Sequence, residues 1–373
     1  LNDGCMPSKG DICFRLGDFQ VMLGQFEDAI DSYKKAEELA VAILGTKEHA
    51  IIMNILHNMG NTYRSIAASS SDGRRRAKEE AVSCYSESMR ISQALYGKHH
   101  VKFAEILQSL AVLHSGVGNL WLAISMDENI DTNDDEVAYK YFKEALTIRR
   151  KENSSMNDLE VAFILHQLGD LCLRNSSIGV DDTPGDTDTL KLLNDAINYL
   201  SESLNIRRIL LHQYHTSIAD TYQSVGVARL NLALTFKNGG DKMDSETRKA
   251  LKSLTSALEI RKSNQSRKGS DSVLAEAHCL FHLGRVEETN SNYDGAKAYY
   301  INALRLLQTE GEHKSTLVSK NIDLAATAGL DGKLIIELEA INLWVARVLY
   351  HVAAIRKVDG NFDDCVSCYK EAL

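Results

Sequence analysis

A two-helix pattern recurs along this chain, and such a recurrence constrains the fold more than any single motif, because each copy must bury its apolar face against its neighbours. The clearest copy runs from Ala277 to Leu307. Leu280, Leu283 and Gly284 mark one amphipathic helix, and Tyr293, Ala296, Tyr300 and Ala303 mark a second after a short turn. Small residues at the crossing let the two backbones approach, while leucine and tyrosine fill the gaps at helical spacing. The chain's two prolines, Pro7 and Pro184, leave long stretches free to stay helical.

The same template fits Leu16 and Gly17 with Phe26, Ala29, Tyr33 and Ala36, and Met59, Gly60 and Tyr63 with Ala81, Tyr85 and Ser88. It fits Leu107, Leu110 and Ala111 with Ala138, Phe142 and Ala145, then Leu165, Leu168 and Gly169 with Ala196, Leu200 and Ser203. Tyr222, Val225 and Gly226 pair with Ala250, Leu254 and Ala257, and Leu349, Val352 and Ala353 with Phe362, Cys365, Tyr369 and Ala372. The expected pairs span 10–43, 53–97, 104–153, 162–211, 219–265, 277–310 and 346–373 of a single array over 1–373. Residues 311–345 fit the template poorly and are expected to be irregular, although 333–358 reads as one long helix.

Two helices in a unit of about 34 residues, with these small and bulky positions, resemble the tetratricopeptide repeat. Several second helices continue through Ala145-Leu146-Thr147-Ile148-Arg149 or Ala257-Leu258-Glu259-Ile260-Arg261. Others run on into Ile43 to His49 or Ala94 to Val101, where a glycine and a histidine lead to the next helix. This resembles the longer repeats of kinesin light chains and their nephrocystin-like relatives. The resemblance implies an all-α, right-handed superhelical solenoid of antiparallel helix pairs. The sequence departs from that pattern by apparent insertions between paired helices at 69–77, 120–135, 175–189 and 238–246. These contain Arg74, Arg75 and Arg76, then Asp127, Glu128, Asp131, Asp134 and Asp135, then Asp181, Asp182, Asp186 and Asp188. They read as solvated loops on one edge of the array.

A formal charge of -9 argues against a nucleic-acid surface, which needs net positive charge to displace counterions. The seven cysteines are odd in number and scattered over apolar helical positions, unlike a disulfide framework, and suggest a reducing compartment. With no window close to roughly 18 uninterrupted apolar residues and no signal sequence at Leu1, the expectation is a cytoplasmic protein without membrane insertion. A start at Leu1 and a stop inside a helical pattern read as a piece of a longer protein.

No catalytic constellation emerges, so no enzymatic residues, cofactor or metal are expected. Cys365 and Cys368 lie one turn apart, but no second pair completes a zinc site. The carboxylates from Asp131 to Glu136 lack the glycine and terminal glutamate of a calcium loop. His99 and His100 stand at a helix junction, where exposed or capping histidines are common, and no cysteine or carboxylate array partners them as a catalytic pair; no glycine-rich loop follows a strand to cradle phosphate. A carboxylate clamp of the tetratricopeptide co-chaperone kind is disfavoured: its positions fall on Phe14, Asp18, Asn58, Glu105 and Ser109, or one repeat later on His57, Asn61, Ser109, Phe163 and Gln167, without the required cations.

The first helices of stacked pairs line a concave groove, and offset places Asn54, His57, Asn58, Asn61, Gln108, His166, Gln167, Asp170, Gln223, His278 and Arg285 on its outward faces. Amides and imidazoles there suit the backbone of an extended peptide. The resulting expectation is a non-enzymatic scaffold or adaptor that binds a peptide or helix of a partner protein, with kinesin-light-chain-like cargo attachment as one version. The alternative is a regulatory, ligand-sensing array of a larger enzyme or nucleotide-switch protein.

Overall fold

The computed structural model describes residues 9–69, 73–115, 132–152, 158–176, 187–236, 240–264, 270–322 and 330–372. Within them, side chains are described except at 69, 132–133, 270–271, 316–337, 362–363, 365, 369 and 372. Every regular element among these residues is a helix. The chain order is α1 (Lys9–Met22), α2 (Phe26–Leu44), α3 (Ala50–Ser69), α4 (Arg74–Tyr96), α5 (Val101–His114), α6 (Thr132–Glu152) and α7 (Leu159–Asn175). Then follow α8 (Thr187–Leu210), α9 (Thr216–Leu234), α10 (Asp241–Ser263), α11 (Ser270–Thr289), α12 (Tyr293–Ile322), α13 (Leu330–Val358) and α14 (Phe362–Ala372). Consecutive helices pack as pairs, α1 on α2 through α13 on α14.

The expected single array divides into two compact units. One is Leu1–Asn119 with Asn129–Ser154 and holds α1–α6; the other is Leu120–Glu128 with Ser155–Leu373 and holds α7–α14. In the first, Tyr33, Ile52, Ile55, Tyr85, Ile91 and Ile106 form a buried core, and in the second Leu254, Phe281, Leu283, Tyr300, Trp344 and Val348 do so.

The small residues of the template are docking points. A methyl group on Gly17, Gly60 or Gly284 would lie 2.5–2.6 Å from the ring of Tyr33, Tyr85 or Tyr300, and on Gly169 or Gly226 at 2.5–2.6 Å from Cγ of Leu200 or Leu254. The backbones approach so closely that only hydrogen fits. Each tyrosine also reaches past its glycine to a polar side chain of the first helix: Tyr33 to Asp18 at 2.8 Å, Tyr85 to Asn61 at 2.8 Å and Tyr300 to Glu288 at 2.6 Å. Buried Ser88 and Ser203 donate to the first-helix carbonyls of Met53 and Ala162 at 2.9 and 2.6 Å.

Two expectations are corrected. The inserted loops are shorter than read. Arg74, Arg75 and Arg76 form the first turn of α4, Asp134 and Asp135 that of α6, and Asp188 lies in α8, while Asp127, Glu128, Asp131, Asp181, Asp182 and Asp186 lie outside the described residues. Asp135 is only 2% exposed, and Asp134 bridges Lys78 of α4 and His114 of α5. The acidic residues there hold helices together instead of fringing the array. The stretch 311–345 is helical on both sides of residues 323–329, because α12 runs on to Ile322 and α13 starts at Leu330. Among the described residues one helix, Leu338–Val358, is long and apolar enough to cross a membrane by length and composition alone, though Glu339, Arg347 and Arg356 interrupt it. Here Ile341, Trp344, Val348, Val352 and Ile355 place one face of that helix in the core of the second unit.

Candidate functional site

The eleven candidate residues all fall on first helices, but the two units treat them differently. In the first unit they stay within reach of solvent. Asn54 of α3 is exposed and lines a cleft of about 840 Å³ between α1, α2 and α3. The cleft wall is mostly apolar: Ile12, Leu16 and Phe19 of α1, Ile43 of α2 and Ile51 of α3 project into it and are 46–71% exposed. Asp11 and Arg15 are its charged members.

Beside the cleft runs a row of half-buried polar groups. Asn58 donates to Asp18 Oδ1 at 3.1 Å, the same oxygen that accepts from the Tyr33 hydroxyl, and Asn61 accepts from Tyr85. His57 meets Ser109 Oγ of α5 at 2.8 Å, and its ring lies 5.7 Å from that of Tyr85. Burial lowers the His57 pKa, since a charged imidazole would lose its hydration there. Burial also pushes the Tyr33 phenol up, and the bond to Asp18 adds to it, so this hydroxyl stays a donor. Gln108 of α5 is half-buried in the same face.

In the second unit the expected outward faces are largely covered. His166 and Asp170 are buried and pair with each other at 3.2 Å, and Gln167 is buried beside them. Gln223 Oε1 accepts from Arg261 Nη2 at 2.8 Å and from the Cys279 thiol at 3.0 Å. Burial drives the Cys279 thiol up to about 11, which keeps it protonated. His278 is 1% exposed and its ring lies 4.0 Å from Trp344 of α13, with Arg347 over the same indole. Desolvation lowers the pKa of Arg285, beside Glu288, although the guanidinium stays charged at any ordinary pH. His166, Gln167, Asp170, Gln223 and His278 are therefore corrected from outward-facing to buried positions. The offset located the helix face, but the neighbouring helices cover it.

The cations that close this network, Arg207 and Arg261, lie on second helices and outside the candidate groove set. Arg207 of α8 donates to the Ser217 carbonyl at 2.8 Å and to Thr221 at 2.6 Å, and Arg261 of α10 donates to Asp220 at 3.0 Å. Their signal was the recurring Ile-Arg at the same offset in Ile148-Arg149, Ile206-Arg207 and Ile260-Arg261, all three arginines being buried. Glu288 joins α11 to its neighbours by accepting from Tyr300 and pairing with His351 at 3.0 Å. Burial alone would raise its carboxyl, but these two bonds outweigh it and hold the group below the usual carboxylate range. Among the described residues no group of three or more His, Cys, Asp or Glu is placed to hold a metal ion. The Cys365 side chain is outside the described set and Cys368 is buried.

The described geometry offers an apolar cleft with an amide-rich border and buried polar braces. A tetratricopeptide repeat model matches residues 10–40, which correspond to α1 and α2. No curated protein matches the chain. Among solved structures, BtubC (BKLC) from P. vanneervenii is similar over 75% of this chain and 90% of its own, at 19% identity and a TM-score of 0.51. A putative kinesin light chain of Podosopora anserina with nearly identical TPR-like repeats matches 70% of this chain and 100% of its own, at 14% identity and a TM-score of 0.44. A Rap protein complexed with competence and sporulation factor matches 98% of this chain and 96% of its own, at 11% identity and a TM-score of 0.43. The likeness to BtubC, at 19% identity, is one of fold. Residues 10–40 thus match one tetratricopeptide repeat, and the described chain is an all-α succession of helix pairs similar in fold to BtubC.

Proposed function

We propose that the chain is a non-enzymatic protein-interaction scaffold, and that its first unit holds a short segment of a partner protein. The observation that carries this reading is the cleft between α1, α2 and α3. Ile12, Leu16, Phe19, Ile43 and Ile51 are exposed together around a concavity of about 840 Å³, with Asn54 at the wall to fix a backbone amide. Apolar side chains gathered in a concavity and bordered by a few polar groups are the usual composition of a binding site, since burial of the ligand's apolar groups supplies affinity and the polar groups set orientation. A segment presenting two or three aliphatic or aromatic side chains on one face of a helix fits this chemistry. A kinesin-light-chain-like cargo adaptor is the more specific form of the proposal, supported by the alanine-leucine-x-isoleucine-arginine stretches.

The test is an array of helical and extended peptides probed with the chain and with the Phe19→Asp and Ile43→Asp variants. Both positions are exposed, so both variants are expected to fold as the parent does, which circular dichroism checks. Peptides retained by the parent and lost by both variants support the reading. Peptides retained equally by all three place recognition elsewhere and remove the cleft as the site.

A further inference from the structure

We propose that the N-termini of α3, α5 and α9 are acid-releasable, because at each of them a histidine ring nitrogen accepts the backbone N–H that begins the helix. His49 Nδ1 accepts from Ile51 N at 3.2 Å, His100 Nδ1 from Lys102 N at 3.1 Å and His215 Nδ1 from Ser217 N at 3.1 Å. His100 and His215 have the extended backbone of a capping residue, with ψ of 147° and 135°. The start of α7 has the same arrangement with a carboxylate: Asp158 Oδ1 accepts from Glu160 N at 2.9 Å, with ψ of 130°.

The difference between these caps is chemical. A ring nitrogen that accepts must carry no proton, so each of the three histidines is neutral with its hydrogen on Nε2. An imidazolium has only donors. Its Nδ1–H would face a backbone N–H, and its charge would sit at the positive end of the helix dipole, so the bond that held the first turn becomes a repulsion. A carboxylate oxygen, by contrast, has no ring proton to gain and offers lone pairs to the same backbone N–H.

The charged and titratable surroundings differ from site to site. Around His49 they are Lys47 and Glu48, the latter paired with Arg90 of α4. His100 stacks on Tyr96 of α4 at 4.6 Å, Glu152 of α6 accepts from the adjoining Val101 N at 2.8 Å, and Lys102 pairs with Glu105. His215 has His212 and Tyr214 in its own turn, Arg207 of α8 on the Ser217 carbonyl, and Asp220 of α9 paired with Arg261 of α10. The inference does not depend on what the cleft binds, although α3 carries Ile51 and Asn54 of its wall within the first turns after the His49 cap.

The experiment is residue-resolved amide hydrogen exchange on the chain between about pH 7.5 and about pH 5, corrected for intrinsic rates, in the parent and in a His49→Asn, His100→Asn, His215→Asn triple variant. Asparagine offers an oxygen acceptor that does not titrate. The expected result is a loss of protection on acidification roughly tenfold larger at Ile51, Lys102 and Ser217 than at Glu160, and no larger than at Glu160 in the triple variant. An equal change at Glu160 in the parent, or persistence of the excess loss in the triple variant, assigns the effect to general loosening of the fold and overturns the proposal. No change at the three amides also overturns it.

Discussion

Replacing Gly284 by alanine adds one methyl group inside a helix, which on propensity alone stabilises by about 0.5–1 kcal/mol. At this position that methyl would stand 2.5 Å from the fully buried Tyr300 ring, and overpacking of a rigid site costs about 1–3 kcal/mol. Gly284→Ala is expected to lower the urea midpoint with an unchanged slope. Gly311→Ala, whose methyl meets Ile341 at an ordinary 3.4 Å, is expected to leave it equal or higher. The small positions were legible in the sequence because glycine has no alternative reading where two helices cross. The polar ones were legible only as to helix. Gln223 and His278 had the right offset for an outward face, but nothing near them in sequence reveals that Arg261 and Trp344 come from other helices to cover them. A second consequence at this scale concerns protons. Burial lowers His282 to about 3, with the charges of Arg285, His351 and Arg347 adding to the effect, and burial lowers His278 and His166 as well. The unfolded chain then binds protons that the folded chain refuses, so stability is full above about pH 6.5 and falls as pH drops toward the folded value. For His282 alone the loss between about pH 6.5 and about pH 5 is roughly 2 kcal/mol. Urea midpoints at the two pH values check it, and a His282→Gln variant is expected to flatten the dependence.

Second helices do more than cover the first ones. The buried arginines near the ends of α8 and α10 both brace α9, one through a carbonyl and a hydroxyl, the other through a carboxylate and an amide. Removing the Arg261 guanidinium costs Gln223 a buried partner while half-exposed Asp220 returns to water, a loss of about 1–3 kcal/mol. Arg261→Met is expected near that range. Arg261→Lys recovers only part, since one ammonium cannot reproduce the fork that meets Asp220 and Gln223 together. Thermal denaturation of the two variants beside the parent decides whether the brace carries stability, and equal melting temperatures would refute it. The helices were readable from apolar period, while their ends were not. The arginine run Arg74 to Arg76 and the aspartates at 134 and 135 looked like loop because polar composition marks a solvated stretch, yet their helices begin there with a polar first turn. Asp134 shows why composition misleads: it lies between Lys78 and His114, partners that are distant in sequence.

Within each unit a helix pair meets mainly its immediate neighbours, and the described helices gather into two compact units. In such chains stability is close to a sum of unit and nearest-neighbour terms. Tyr85→Ala, which empties the centre of the α3–α4 pair, is expected to cost about 3–5 kcal/mol and to reduce hydrogen-exchange protection through α3, α4 and α5. Protection in α11 to α13 should be unchanged, and a uniform loss along the chain would show one cooperative body in place of two. The repeat architecture was legible because the same residues return at the same offsets. The division into units was not, since no composition shift marks it. The docking of tyrosine or leucine onto glycine has a consequence for how such a chain changes over time. Both halves of each dock lie within one helix pair, and Gly17, Asp18 and Tyr33 travel together, as do Gly60, Asn61 and Tyr85. A duplication or exchange that breaks between pairs copies a working lock with its key. One that breaks inside a pair can seat a tyrosine from one copy against a first helix that lacks its hydroxyl acceptor, so the seams between pairs are where new arrays of this kind are most readily cut and joined.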